Sequence, residues 1–129
     1  MVDEKTSITS MLALFPAFKS QYEEHVKFWK GENPFGMDMA EFSHFALDII
    51  AKGTDEEIEK LVNFAEQMIT EGNDDVNYAI KFFFLENITN RSGDRRIPLA
   101  RFINRLKPKS YEFCRELDKF WGTKTEGID

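Results

Sequence analysis

Few side chains in this chain could do chemistry, and their spacing decides what they could do. There are two histidines, His25 and His44, and one cysteine, Cys114. A zinc helix of the His-Glu-x-x-His type needs two histidines four apart with a glutamate beside the first. His25 follows Glu23 and Glu24, and His44 stands three residues after Glu41, so neither segment has that form. Glu41-Phe42-Ser43-His44 does match one Glu-x-x-His element of a helical di-metal site, but such a site requires a second copy on a facing helix, and the chain has none. A metal-dependent enzyme would have to rest on Glu41 and His44 alone; structural or solvated histidines are the plainer reading. Cys114 falls at an apolar helical position. A nucleophilic thiol needs a lowered pKa and a nearby base, and Arg115 points about 100° away on a helix. Cys114 therefore reads as a buried structural thiol. Phosphate loops, Gly-x-Ser-x-Gly elbows and calcium-loop spacings are all missing. The expectation is a chain that is not an enzyme and has no catalytic, metal or cofactor-binding residues.

Charge is the stronger signal. Residues 1–90 carry 7 Lys and Arg against 17 Asp and Glu, whereas residues 91–129 carry 10 against 6. Such an N-terminal portion should repel nucleic acid and attract basic surfaces. Its acids concentrate at two places: Asp55, Glu56, Glu57 and Glu59, then Glu71, Asp74 and Asp75. One reading makes them a solvated face with helix caps; the functional reading makes these seven residues the docking surface for a basic protein partner. The opposite cluster is Arg91, Arg95, Arg96, Arg101, Arg105, Lys107 and Lys109, with Asp94 the only acid among them. Phosphate contacts could use it, but no nucleic-acid-binding motif accompanies it. Pairing with the chain's own acids, or with a second copy in a homodimer, is equally open.

A chain of 129 residues suits a single domain with a substantial core to position these groups. Apolar residues at 42% and charged residues at 31% place the chain among globular proteins. No apolar run approaches the ~20 residues of a membrane span, and the start, MVDEKTSITS, lacks the apolar core of a secretory signal. A single cysteine permits no internal disulfide, which is compatible with a reducing compartment. A cytoplasmic location without membrane contact is the expectation.

The punctuation is helical. Thr6 or Ser7 can cap a first helix, and Pro16 can open a second that closes at Gly31. Asp38 and Glu41 have capping-box spacing ahead of the stripe Phe42, Phe45, Ala46, Ile49, Ile50. Thr54 and Glu57 form a second box, opening a helix whose apolar face is Ile58, Leu61, Val62, Ala65, Met68 and Ile69. Asn73 or Asp74 caps the next, which contains Lys81-Phe82-Phe83-Phe84-Leu85. At about 100° per residue its apolar side chains from Val76 to Ile88 fall on every side of the axis, and a helix apolar all round is a buried one. Two shorter helical patterns follow, the last placing Tyr111, Cys114, Leu117, Phe120 and Trp121 inward and ending at Gly122. The predicted fold is all-α: a compact bundle of six or seven helices in one domain, residues 1–122, with a buried central helix at about 74–90 and a flexible tail at 123–129.

The pair from Thr54 to Asn90 resembles one HEAT-like repeat unit: two helices meet at Gly72-Asn73-Asp74-Asp75, and Val76, Ala79, Phe83-Phe84-Leu85 and Ile88 follow like the ladder of such repeats. Asn77 stands where these repeats usually carry arginine, and there is no second copy. More widely, Leu14-Phe15-Pro16, Glu41-Phe42-Ser43, Phe84-Leu85-Glu86-Asn87, Leu106-Lys107-Pro108-Lys109-Ser110 and Leu117-Asp118-Lys119-Phe120-Trp121 resemble a family of small, uncharacterised all-α bacterial proteins. Some of its members look like immunity proteins encoded beside secreted polymorphic toxins. That resemblance implies a non-enzymatic protein-binding domain that neutralises a basic toxin partner, with no catalytic residues to carry over. Trp29, Phe35 and Tyr78 are candidate anchors for such a partner. A regulatory adaptor or self-assembling structural domain is the alternative, with charge reversal at Arg101 and Arg105 expected to break a dimer.

Overall fold

The computed structural model describes residues 1–129. Helix α1 (Glu4–Leu14) is followed by a 3-10 turn at Pro16–Phe18, α2 (Lys19–Phe28), α3 (Phe35–Lys52) and α4 (Asp55–Glu71). A single rod then runs through α5 (Asp74–Ala79), a π-helical stretch (Ile80–Leu85) and α6 (Glu86–Thr89). The short α7 (Ala100–Ile103) and α8 (Pro108–Trp121) complete the bundle. Taken with the rod as one element, this is the all-α bundle of seven helices; the only β feature is an isolated bridge between Val2 and Gly72.

Several helix starts follow from local chemistry. Thr54 and Glu57 form the reciprocal capping box, each side chain accepting from the other's backbone N–H at 3.2 and 2.9 Å. Asn73 caps α5 by accepting from the Val76 N–H at 2.9 Å. Such caps stabilise a helix by about 1 kcal/mol each. The other two proposed caps are corrected. Asp3, not Thr6 or Ser7, caps α1, by accepting from the Thr6 N–H; Ser7 is buried against Met68 instead. At α3 the helix begins earlier, behind Pro34, because proline's fixed φ suits a helix start. That leaves Asp38 inside the first turn, where it is buried against His25.

One core holds these elements together. Its 27 buried apolar residues run from Met11 to Ile128, so nearly the whole chain folds around it. The phenylalanines meet at its centre: Phe42 stacks on Phe84 at 5.2 Å and meets Phe64 edge-on at 5.5 Å. Gly36 lets α3 approach the rod, since a Cβ there would lie 2.9 Å from the Phe83 ring.

The rod is central, but it is not covered all round. Val76, Ala79, Ile80, Phe84, Leu85 and Ile88 are buried, whereas Tyr78 is 57% exposed and Phe82 40%. The even distribution around the axis assumed α-helical geometry throughout. A π-turn closes at i→i+5, placing one extra residue in the turn and re-aiming the side chains beyond it. Of the three consecutive phenylalanines, Phe84 enters the core, Phe83 packs beside it and Phe82 faces outward.

The tail is also corrected. Residues 123–129 do not hang free. The buried Asp118 carboxylate accepts from the Thr123 hydroxyl at 3.1 Å and from the Thr125 N–H and hydroxyl at 2.8 and 2.6 Å. The Glu126 N–H donates to Ser92, the Asp129 N–H donates to Tyr111, and Ile128 joins the core. Gly127 makes this return possible: its φ is +92°, and a Cβ would lie 2.9 Å from Ile103.

Candidate functional site

The two acid clusters expected to form a docking surface separate in the structure. Asp55 pairs with Arg101 at 3.2 Å and Arg105 at 3.3 Å, and Glu59 reaches Arg105 at 3.3 Å and Lys107 at 3.4 Å. Glu57 is held in its capping box, leaving Glu56 exposed at that end of α4. Glu71, Asp74 and Asp75 are exposed together at the other end, roughly 20 Å away at 1.5 Å per residue. The arginine cluster is thus largely engaged within the chain. Arg101 also donates to the Ile50 and Gly53 carbonyls at 2.9 Å, tying α7 to the end of α3. Charge reversal there would break internal bonds, so it does not test dimerisation. In the loop before α7, Arg91 and Arg96 both clasp Asp94 at 3.0 Å. Their hydrogen bonds hold its carboxyl well below the usual carboxylate range.

Both histidines line one open hollow beside Glu41, Phe28 and Trp29, between α2 and α3. His25 is buried, its Nε2 2.9 Å from Asp38 and its Nδ1 3.5 Å from Glu41. Asn33 donates to Asp38 at 2.6 Å and Gln21 to Glu41 at 2.6 Å. Burial pushes the Asp38 carboxyl up, opposed by its bonds to Asn33 and His25. Both faces of the His25 ring edge therefore meet carboxylates within a closed network joining α2 to α3. His44 is exposed on α3. No three His, Cys, Asp or Glu side chains are placed to hold one metal ion. Cys114 is fully buried, and desolvation pushes its thiol up to about 12, with Asp118 adding to the effect.

A third place is not among those expected from the sequence. Tyr78 and Phe82 stack at 4.7 Å, Phe82 meets Phe113 edge-on at 5.3 Å, and Phe120 meets Trp121 at 5.0 Å. Phe120 is 78% exposed and Trp121 61%, although the apolar stripe of α8 predicts both inward. The core face of α8 is instead Ser110, Cys114 and Leu117. Phe113 and Phe120, seven apart, lie on a neighbouring stripe that faces Phe82 across an apolar hollow of about 440 Å³. That second stripe is the sequence signal that could have revealed the face. Of the proposed anchors, only Tyr78 belongs to it; Trp29 and Phe35 are partly buried elsewhere.

Glu86 lines this hollow and also an adjoining one of about 520 Å³, walled by Trp121, Asp118 and Thr123 to Thr125. Its Oε2 is buried without a hydrogen-bond partner, alone among buried side-chain oxygens and nitrogens. A buried acceptor left unpaired costs about 1–3 kcal/mol, more when charged. Lys81 lies over the Phe113 ring at 5.7 Å, and Lys119 pairs with Glu116 at 3.4 Å. Neither cation reaches Glu86. The arrangement is an aromatic groove lined in part by an acid with one unsatisfied oxygen.

No curated protein and no solved structure matches the chain. A family profile matches residues 8–122, which takes in every element from the body of α1 to the end of α8, including the groove. The chain belongs to the family described as "Domain of unknown function (DUF7674)".

Proposed function

We propose that the chain is a non-enzymatic protein-binding domain that receives a partner segment along the aromatic groove between the rod and α8. The contiguous exposure of Tyr78, Phe82, Phe120 and Trp121 carries this reading. Large aromatics gathered at the surface mark interaction sites, whereas single exposed ones need no explanation. Covering one such side chain stabilises a complex by about 1.5–3 kcal/mol, and two or three central anchors supply most of a typical interface's affinity. Elsewhere on the surface, Glu56 at one end of α4 and Glu71, Asp74 and Asp75 at the other are exposed acids. Acids of this kind steer a basic partner and raise its on-rate.

The finer form of the proposal is that the partner is a toxin and the chain its immunity protein; it rests on the sequence resemblance. The test is a binding measurement between the purified chain and the product of the adjacent gene. Tight binding by the wild type, weakened at least tenfold by Phe120→Ser or Trp121→Ser, is expected. Both positions are exposed, so the variants should keep the wild-type melting temperature. Equal binding by wild type and variants would move the docking face elsewhere. An adjacent product without affinity would remove the immunity form.

A second reading has the groove covered by another copy of the chain. The same exposed aromatics motivate it, and sedimentation over a range of concentrations separates the two. Dimerisation abolished by Phe120→Ser supports it; a monomer at all concentrations disposes of it.

A further inference from the structure

We infer that Glu86 is a cation-recognition point in the docking groove, taking the ammonium or guanidinium of a lysine or arginine carried by the bound segment. The inference rests on the groove being the docking face, and deepens that reading by naming the chemistry of the occupant. Three observations meet at Glu86. One of its carboxylate oxygens is buried and unpaired. It lies where an apolar hollow adjoins a polar one, with Leu117 and Trp121 lining both. The second carboxylate of the polar hollow, Asp118, is bonded to Thr123 and Thr125 and to no cation.

A lysine or arginine suits that boundary. Its methylene stem covers apolar surface while its charged end seeks an acceptor, and the face of Trp121 favours a cation held beside it. A purely apolar segment would fill the aromatic hollow and leave the Glu86 Oε2 without a partner. An acidic segment would set like charges against Glu86, Glu116 and Asp118. The occupant is therefore a segment in which a basic residue stands beside large apolar ones. Among the residues lining the two hollows the one cation is Lys124, which is exposed. It is the internal competitor for the same carboxylate.

A displayed library of random twelve-residue peptides, panned against the full chain, tests this. Wild type should select sequences rich in Lys or Arg next to aromatic or aliphatic residues, and Glu86→Gln should lose the basic preference while keeping the apolar one. In the best synthetic peptide, replacing the basic residue with norleucine should weaken binding at least tenfold on wild type and less than twofold on Glu86→Gln. Because Oε2 has no donor to lose, the melting temperature of Glu86→Gln should equal that of wild type or exceed it. An unchanged basic preference in Glu86→Gln overturns the inference; the groove still stands if Phe120→Ser with Trp121→Ser abolishes selection. Selection that ignores the aromatic substitutions overturns both. Melting temperatures lowered equally by Glu86→Gln and Lys124→Ala, with no further drop in the double variant, would assign Glu86 to Lys124 and also overturn it.

Discussion

Asp118→Ala should detach the last seven residues while leaving the helical bundle folded. Asp118 accepts three hydrogen bonds from Thr123 and Thr125, the shortest at 2.6 Å, and both Asp118 and Thr125 are buried. Hydrogen bonds to a charged group contribute about 1.5–3 kcal/mol each, giving a ceiling of roughly 5–9 kcal/mol if the tail were forced to stay. It is not forced to stay. Release frees backbone entropy of about 1–2 kcal/mol per residue, against the loss of one buried isoleucine, Ile128, at about 1.5–3 kcal/mol. The chain escapes by local unfolding, so the measured global destabilisation should fall well below that ceiling. Amide hydrogen exchange separates local from global effects. In wild type the Thr125 and Ile128 amides, which donate to Asp118 and the Thr125 carbonyl, should be protected. In Asp118→Ala they should exchange at nearly the free-peptide rate while core amides of α4 and the rod stay slow. A chain ending at residue 122 should melt close to the variant. Wild-type protection at Thr125 persisting in Asp118→Ala would refute this account of the tail. Because Thr123 to Thr125 wall the polar hollow beside Glu86, the variant should also weaken recognition of basic peptides.

Other outcomes follow from the same structure. Cys114 should resist a thiol reagent at pH 8 in the folded chain and react fully once urea unfolds it, since its thiol is buried and shifted to about 12; rapid labelling of native protein would show the α8 face open. Arg101→Ala should cost about 1–3 kcal/mol in urea denaturation, because the Ile50 and Gly53 carbonyls lose their donor; its sedimentation should match that of wild type. Asp94 has a depressed carboxyl in the folded state, so its contribution to stability is present above the ordinary aspartate range and is lost as pH falls. Melting temperatures from neutral pH down to about pH 3 should therefore fall less steeply for Asp94→Asn than for wild type; parallel curves would mean the arginine clasp does not persist in solution. Phe42→Ala, at the centre of the aromatic core, should cost about 3–5 kcal/mol by urea denaturation, whereas Phe82→Ala should cost less than half as much.

The sequence by itself determined the helical class, the capping box at Thr54 and the cap at Asn73, because each depends on neighbours within one or two turns. It also held both charge clusters, but not their meeting: Asp55 and Arg101 are 46 residues apart, and only the docking of α7 beside the start of α4 brings them together. The tail looked loose because it has turn and polar residues, and its anchor, Asp118, belongs to another element. Tertiary structure alone decided which apolar side chains remained outside. A helical wheel assumes one constant rotation per residue, and the π-turn at Ile80–Leu85 breaks that assumption where the phenylalanines lie. α8 carries two apolar stripes, and the core had room for one of them. The surplus stripe and the outward Phe82 line one hollow together with Glu86. Periodicity tells how many apolar side chains a helix carries; only packing in three dimensions tells which of them find a partner.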